Sequence, residues 1–200
     1  MLSQTNEQAL ESAIEKALTG TCLEELKTSG SELYYNSAAY GGNGFHIGYA
    51  DDFNSKYAID ETRFWDFLQS SQKDELEKLK RSSDWKLKIL ERFDRMVRKY
   101  GVIRLLRKGL ELEDAQFSLL YPLPLASSSQ RIKDDFASNQ FSVTRQVRYN
   151  PENPHEEIDM VLFINGIPIA TLELKNQWTG QNARVHGRKQ YNDRDMYHLN

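Results

Sequence analysis

Ile158-Asp159-Met160-Val161-Leu162-Phe163-Ile164, then Asn165-Gly166, then Ile167-Pro168-Ile169-Ala170-Thr171-Leu172-Glu173-Leu174-Lys175 is the stretch that decides how this chain folds. Two runs rich in aliphatic residues flank Asn-Gly, the pair best suited to a two-residue turn with positive φ at both central positions. The spacing predicts a β-hairpin. Because both runs are nearly continuous in apolar residues, the hairpin is expected to lie centrally in its sheet, covered on both faces. Asp159, Glu173 and Lys175 stand out against that background, since burying a charge is costly unless it is paired or bound to a metal.

Strand geometry turns this into a requirement. Glu173 and Lys175 are two residues apart and share a face. A strict two-residue loop pairs 164 with 167, hence 159 with 172, which sends Asp159 to the face opposite Glu173. A three-residue loop with Gly166 left-handed, or a single bulge, shifts the parity and brings the carboxylates together. A clean two-residue turn without a bulge would count against a site here.

The residue types suit phosphodiester hydrolysis. Two nearby carboxylates can hold Mg²⁺, which prefers oxygen ligands and keeps several waters, and the Leu174 carbonyl is a natural further ligand. Such an ion polarises a phosphate and acidifies bound water. Lys175 can orient the attacking water or stabilise developing charge. An Asp followed by Glu-x-Lys is also what an edge strand with solvated charges looks like, so the residues alone leave both readings open.

Upstream, Asn6 to Leu18 sets Ala9, Leu10, Ala13, Ile14, Ala17 and Leu18 on one helical face, with Glu7, Glu11 and Glu15 along its edge. Thr28 to Phe53 reads as turns around Gly41-Gly42-Asn43-Gly44, with one short strand near Phe45–Tyr49. Asp60 to Ser82 and Trp85 to Lys99 are expected helices. The second presents Arg92, Arg95, Arg98 and Lys99 outward, ordinarily a solvated face. Phe117–Tyr121 and Phe141–Tyr149 are strand-like, the latter alternating Phe141, Val143, Arg145, Val147 and Tyr149 on one side. Pro122, Pro124 and Ser127–Ser129 mark a loop between them, and the polar segment from Gly180 has helical potential.

At 200 residues the chain suits a single domain over 1–200. Its apolar runs are far shorter than the roughly 20 residues a membrane helix needs, and Met1 to Glu7 carries no secretion-signal pattern. Cys22, the single cysteine, fits a reducing compartment and a cytoplasmic setting. The 29 acidic residues outnumber 26 basic ones, a net charge of −3. A protein holding DNA unaided usually shows a basic surplus, so either DNA is not the substrate or other domains hold it.

The whole chain, from about Glu7 to its end, resembles the N-terminal nuclease domain of type I restriction enzyme R subunits (the HsdR family), a branch of the PD-(D/E)xK nuclease superfamily. The resemblance rests on Ile158-Asp159, Leu162 to Pro168, and Leu172-Glu173-Leu174-Lys175-Asn176-Gln177 with Thr179-Gly180. It extends to Tyr100 to Gly109, to Asn139 to Tyr149, and to Gln190-Tyr191-Asn192-Asp193-Arg194-Asp195. It implies an α/β restriction-endonuclease-like core, a mixed central β-sheet flanked by helices. It implies that Asp159 and Glu173, with the Leu174 carbonyl, are metal ligands for Mg²⁺ (Mn²⁺ as substitute), and that Lys175 is the catalytic lysine. Gln190 resembles the glutamine of a Q-x-x-x-Y element, although the residue four later is Arg194, with Tyr191 adjacent. A first-helix glutamate of the family is matched by both Glu7 and Glu11. Arg184, Arg188, Lys189 and Arg194 are candidate phosphate contacts.

The resemblance further implies ATP-driven motor domains after residue 200, partner methylation and specificity subunits, and double-stranded DNA cut after translocation. No G-x-x-x-x-G-K-[ST] phosphate loop occurs, so ATP is expected to bind only outside these residues. Two other readings remain: a non-catalytic docking module that kept the nuclease fold and regulates the motor, and a stand-alone DNA-repair nuclease.

Overall fold

A four-stranded mixed sheet carries the hairpin. In the computed structural model, which describes residues 2–29, 42–153 and 155–174, its strands are β1 (His46–Ile47), β6 (Phe141–Arg148), β7 (Glu157–Ile164) and β8 (Ile167–Leu172), in the order β1-β6-β7-β8. β1 runs parallel to β6, and the other two pairings are antiparallel. Two small hairpins stand apart from it: β2 (Phe53–Asn54) with β3 (Ile59–Asp60), and β4 (Leu110–Leu112) with β5 (Ala115–Phe117).

The helices are α1 (Leu2–Thr19), α2 (Leu23–Ser29), α3 (Glu61–Ser71), α4 (Lys73–Leu79), α5 (Trp85–Tyr100), α6 (Val102–Lys108) and α7 (Gln130–Ala137). The mixed α/β architecture, a mixed sheet flanked by helices, is the expected one. The expected helix over 60–82 is two helices. They divide at Gln72, whose side chain accepts from the Ser118 N–H at 2.6 Å and donates to the Ser118 carbonyl at 2.8 Å. Those bonds draw Gln72 out of helical geometry (φ −142°, ψ 41°). The expected strand at 117–121 lies instead at β4–β5, where Leu110 pairs with Phe117.

The larger apolar core joins α3, α4, α5, α6 and the β4–β5 hairpin. Phe64, Phe67, Leu76, Ile89 and Leu110 are completely buried there, together with Ile167 from the start of β8. Burying each such side chain contributes about 1.5–3 kcal/mol relative to leaving it in water. A smaller cluster of Val147, Tyr149, Ile158, Val161 and Phe163 packs against Phe53.

The α3 N-terminus holds the hairpin turn. Asp60 caps α3 by accepting from the Arg63 N–H at 3.0 Å, while its own N–H donates to the Gly166 carbonyl at 2.8 Å. A Cβ at residue 166 would lie 2.4 Å from the Asp60 oxygen and 2.5 Å from the Phe64 nitrogen. With φ at +76° as well, only glycine fits there.

Within the hairpin, β7 is central and buried as expected, but β8 is the edge strand among the described residues. Ile169, Ala170 and Thr171 are exposed on it. A continuous apolar run thus marks the central strand correctly and overstates the covering of its partner. None of the described helices is long and apolar enough to cross a membrane.

Candidate functional site

The turn at Asn165-Gly166 is a two-residue turn with both φ values positive, +52° and +76°, the geometry Asn-Gly favours. Asn165 is fully buried and fixed on three sides. Its Oδ1 accepts from the Gln140 N–H at 2.7 Å, and its Nδ2 donates to the Leu119 carbonyl at 2.9 Å and Asn139 Oδ1 at 3.0 Å. Next to the turn, Ile164 faces Ile167 and Phe163 faces Pro168.

One step later the register shifts: Leu162 faces Ala170, Val161 faces Thr171 and Met160 faces Leu172. Ile169 is therefore the extra residue of a β-bulge. It follows Pro168, which has no N–H to give the ladder, and proline in sheets is confined to edges and bulges. Continuing the shifted register by one residue sets Asp159 opposite Glu173. The parity requirement is met, by a bulge rather than an odd loop.

Beyond the ladder, the Leu174 N–H donates to Asp159 Oδ2 at 2.6 Å. The backbone that follows Glu173 thus holds the Asp159 carboxylate, and both acidic residues are half-buried. On the neighbouring strand, Gln146 sits between the pairs Arg145–Met160 and Val147–Ile158, the position across from Asp159. It adopts φ +52°, costly for a non-glycine residue, and such conformations concentrate at functional sites.

The structure separates Glu7 from Glu11. Glu11 on α1 is buried, and its carboxyl is held above the usual range by burial; Arg145 opposes the shift and the negative charge of Asp159 adds to it. Glu7 is only partly buried. Glu11 is therefore the first-helix glutamate whose carboxyl senses Asp159.

α1 is turned the other way from expectation. Its buried face is acidic: Glu11 is 4% and Glu15 0% exposed, whereas Leu10 is 42% exposed and Ala9, Ala13 and Ala17 are also exposed. The cause is Arg145 on β6. Its Nε donates to Glu11 at 2.9 Å, and its guanidinium also donates to Glu15 at 3.3 Å and to Glu24 of α2 at 2.8 Å. Glu15 in addition accepts from the Leu23 N–H at 2.9 Å, at the start of α2. Burial raises the Glu15 carboxyl, against the bonds from Leu23 and Arg145. Periodicity does not foretell this hub. Its traces in the sequence are an i, i+4 glutamate pair on α1 and one arginine inside an apolar strand.

The two carboxylates and the Leu174 carbonyl form a set of hard oxygen donors, the chemistry that suits Mg²⁺ with waters completing its shell. Among the described residues no group of three or more His, Cys, Asp or Glu side chains is arranged to hold a metal. Lys175, Gln190, Tyr191 and Arg194 lie outside the described residues, as do Arg184, Arg188 and Lys189.

A mixed sheet with an acidic pair on a bulged hairpin is a nuclease-like α/β core. Residues 63–198 match the family model of the type I restriction enzyme R protein N terminus, and the chain belongs to that family. No curated protein and no solved structure matches it. α1, with Glu11, lies before the matched span, so its place against β1 and β6 is a finding of the structure alone.

Proposed function

We propose that this domain is a Mg²⁺-dependent endonuclease that hydrolyses phosphodiester bonds of double-stranded DNA. It acts within a cytoplasmic R subunit, followed by ATP-driven motor domains and assembled with methylation and specificity subunits. The observation that carries this reading is the bulge at Ile169, after which Met160 pairs with Leu172, a register that one residue further on brings Asp159 and Glu173 to the same face. A docking module freed from chemistry would have no use for that alignment.

Asp159 and Glu173, with the Leu174 carbonyl, would hold the ion (Mn²⁺ as substitute). When bound, it supplies charge neutralisation at the phosphate and a more acidic water. The Leu174 N–H fixes the orientation of the Asp159 carboxylate. Lys175, two residues beyond Glu173, supplies a compact cation for the developing charge or for orienting the attacking water. Gln190 positions the DNA or the site.

The test places Lys175→Ala in the full R subunit and measures DNA cleavage and ATP hydrolysis with the partner subunits present. Cleavage should vanish while ATP hydrolysis persists. Retained cleavage would overturn the assignment.

A further inference from the structure

The acidic balance of the whole chain hides a strong local asymmetry. Between Glu91 and Gly109 there are seven basic and two acidic residues, so the remainder of the chain carries all of the negative excess. Six of these cations project from two consecutive helices: Arg95, Arg98 and Lys99 from α5, and Arg104, Arg107 and Lys108 from α6, all exposed. Gly101 joins the helices with φ +79°, a bend that continues the exposed face of one into the other. Their opposite faces, through Ile89, Leu90, Phe93, Leu105 and Leu106, are buried in the core.

The cations are not consumed internally. Arg98 pairs with Asp94 at 3.0 Å, but none of the other five makes a salt bridge among the described residues. Tyr100, 38% exposed, stands between the two groups, with the Arg104 guanidinium 4.6 Å and the Lys99 ammonium 5.0 Å from its ring centre. The Lys99 ammonium holds the Tyr100 hydroxyl below the ordinary tyrosine range, a local sign of positive potential. A single helix end complements its dipole with one or two cations. Six on one corner, around an exposed aromatic, exceed that need.

We propose that the α5–α6 corner is a docking surface for the phosphate backbone of duplex DNA. Resting on the reading of this domain as one that acts on duplex DNA, it assigns the holding of DNA in part to this chain, not only to the motor and partner subunits. Arginine and lysine contacts of this kind position a duplex without reading its sequence, as suits a domain whose target site is read elsewhere.

The experiment compares the full chain with R95E/R107E/K108E in binding to a duplex oligonucleotide of arbitrary sequence, by fluorescence anisotropy across a salt series. A second variant reversing two exposed cations of α7, R131E/K133E, serves as the control. The corner variant should bind on the order of a hundredfold more weakly near 0.1 M salt, with the slope of log K against log salt shallower by about one for each phosphate it no longer neutralises. The α7 variant should bind as the unsubstituted chain does. Asp159→Asn, which abolishes cleavage under the proposed function, should also leave binding intact, so the two readings fail separately. Equal losses in both charge-reversal variants, or unchanged affinity and slope in the corner variant, would overturn the proposal. Unchanged DNA binding with lost association to the partner subunits would reassign the corner to a protein interface and overturn it too.

Discussion

Arg145 of β6 donates its Nε to the Glu11 carboxylate of α1 at 2.9 Å, across 134 residues of chain. Both side chains are nearly buried, at 7% and 6% exposed, and the same guanidinium also serves Glu15 and Glu24. The planar fork of arginine can satisfy several carboxylates at once, which a lysine ammonium cannot do in the same geometry. This one cation thereby fixes α1 against the sheet, and with it a glutamate whose carboxyl senses the charge of Asp159.

Arg145→Met should destabilise the domain by about 3–5 kcal/mol, because it leaves buried carboxylates without their partner. Arg145→Lys should recover only part of that loss. Urea unfolding of the three proteins checks the order. Equal stability of the Met variant and the unsubstituted protein would remove Arg145 from its role.

The bulge is open to a direct test. An alanine inserted between Thr171 and Leu172 leaves the bulge in place but sets Leu172 opposite Asp159, so Glu173 moves to the other face of the strand. The hairpin should still form, with circular dichroism little changed, while DNA cleavage in the assembled R subunit is lost. An insertion protein that still cuts would show that the Asp159–Glu173 alignment is irrelevant to activity.

Asp60 introduces a pH dependence. Burial pushes its carboxyl up to about 6 from 3.8, against the opposing N–H and charge of Arg63. Between those values the folded protein keeps a proton that the unfolded chain releases. Stability therefore falls as pH rises from about 4 to about 6 and is level above, an effect on the order of 3 kcal/mol. Asp60→Asn keeps the helix cap, since asparagine caps as well as aspartate, and should remove this component. Unfolding free energies measured across that window should slope less steeply in the variant. Parallel slopes would assign the dependence to other groups.

The hairpin is legible in the sequence because its determinants are local. Asn165 and Gly166 dictate the turn, and the spacing of Asp159 from Glu173 requires an odd loop or a bulge if the two are to share a face. Pro168 is a further cue, lacking the N–H that a regular ladder requires. The orientation of α1 is not legible. Ala9, Leu10, Ala13 and Ala17 form the better apolar stripe, and only a distant arginine explains why Glu11 and Glu15 face inward instead. The break at Gln72 carries no glycine or proline signal, because its cause is a pair of bonds to Ser118. α7 offers only Ile132 and Phe136 as large apolar residues, and none of its residues is buried. α6 is a seven-residue helix, too short for periodicity to reveal. The site's carboxylates can be picked out from the sequence; the arginine that organises their surroundings cannot.

The separation between Arg145 and Glu11 also has a kinetic consequence. Contacts between residues far apart in sequence must close a large loop before they return any stabilisation, and chains rich in them fold slowly. During synthesis α1 emerges long before β6 and the hairpin exist. Its inward glutamates must stay solvated until Arg145 arrives. The acidic surroundings of Asp159 are thus among the last features to assemble, so under the proposed function a partly made chain cannot yet cut.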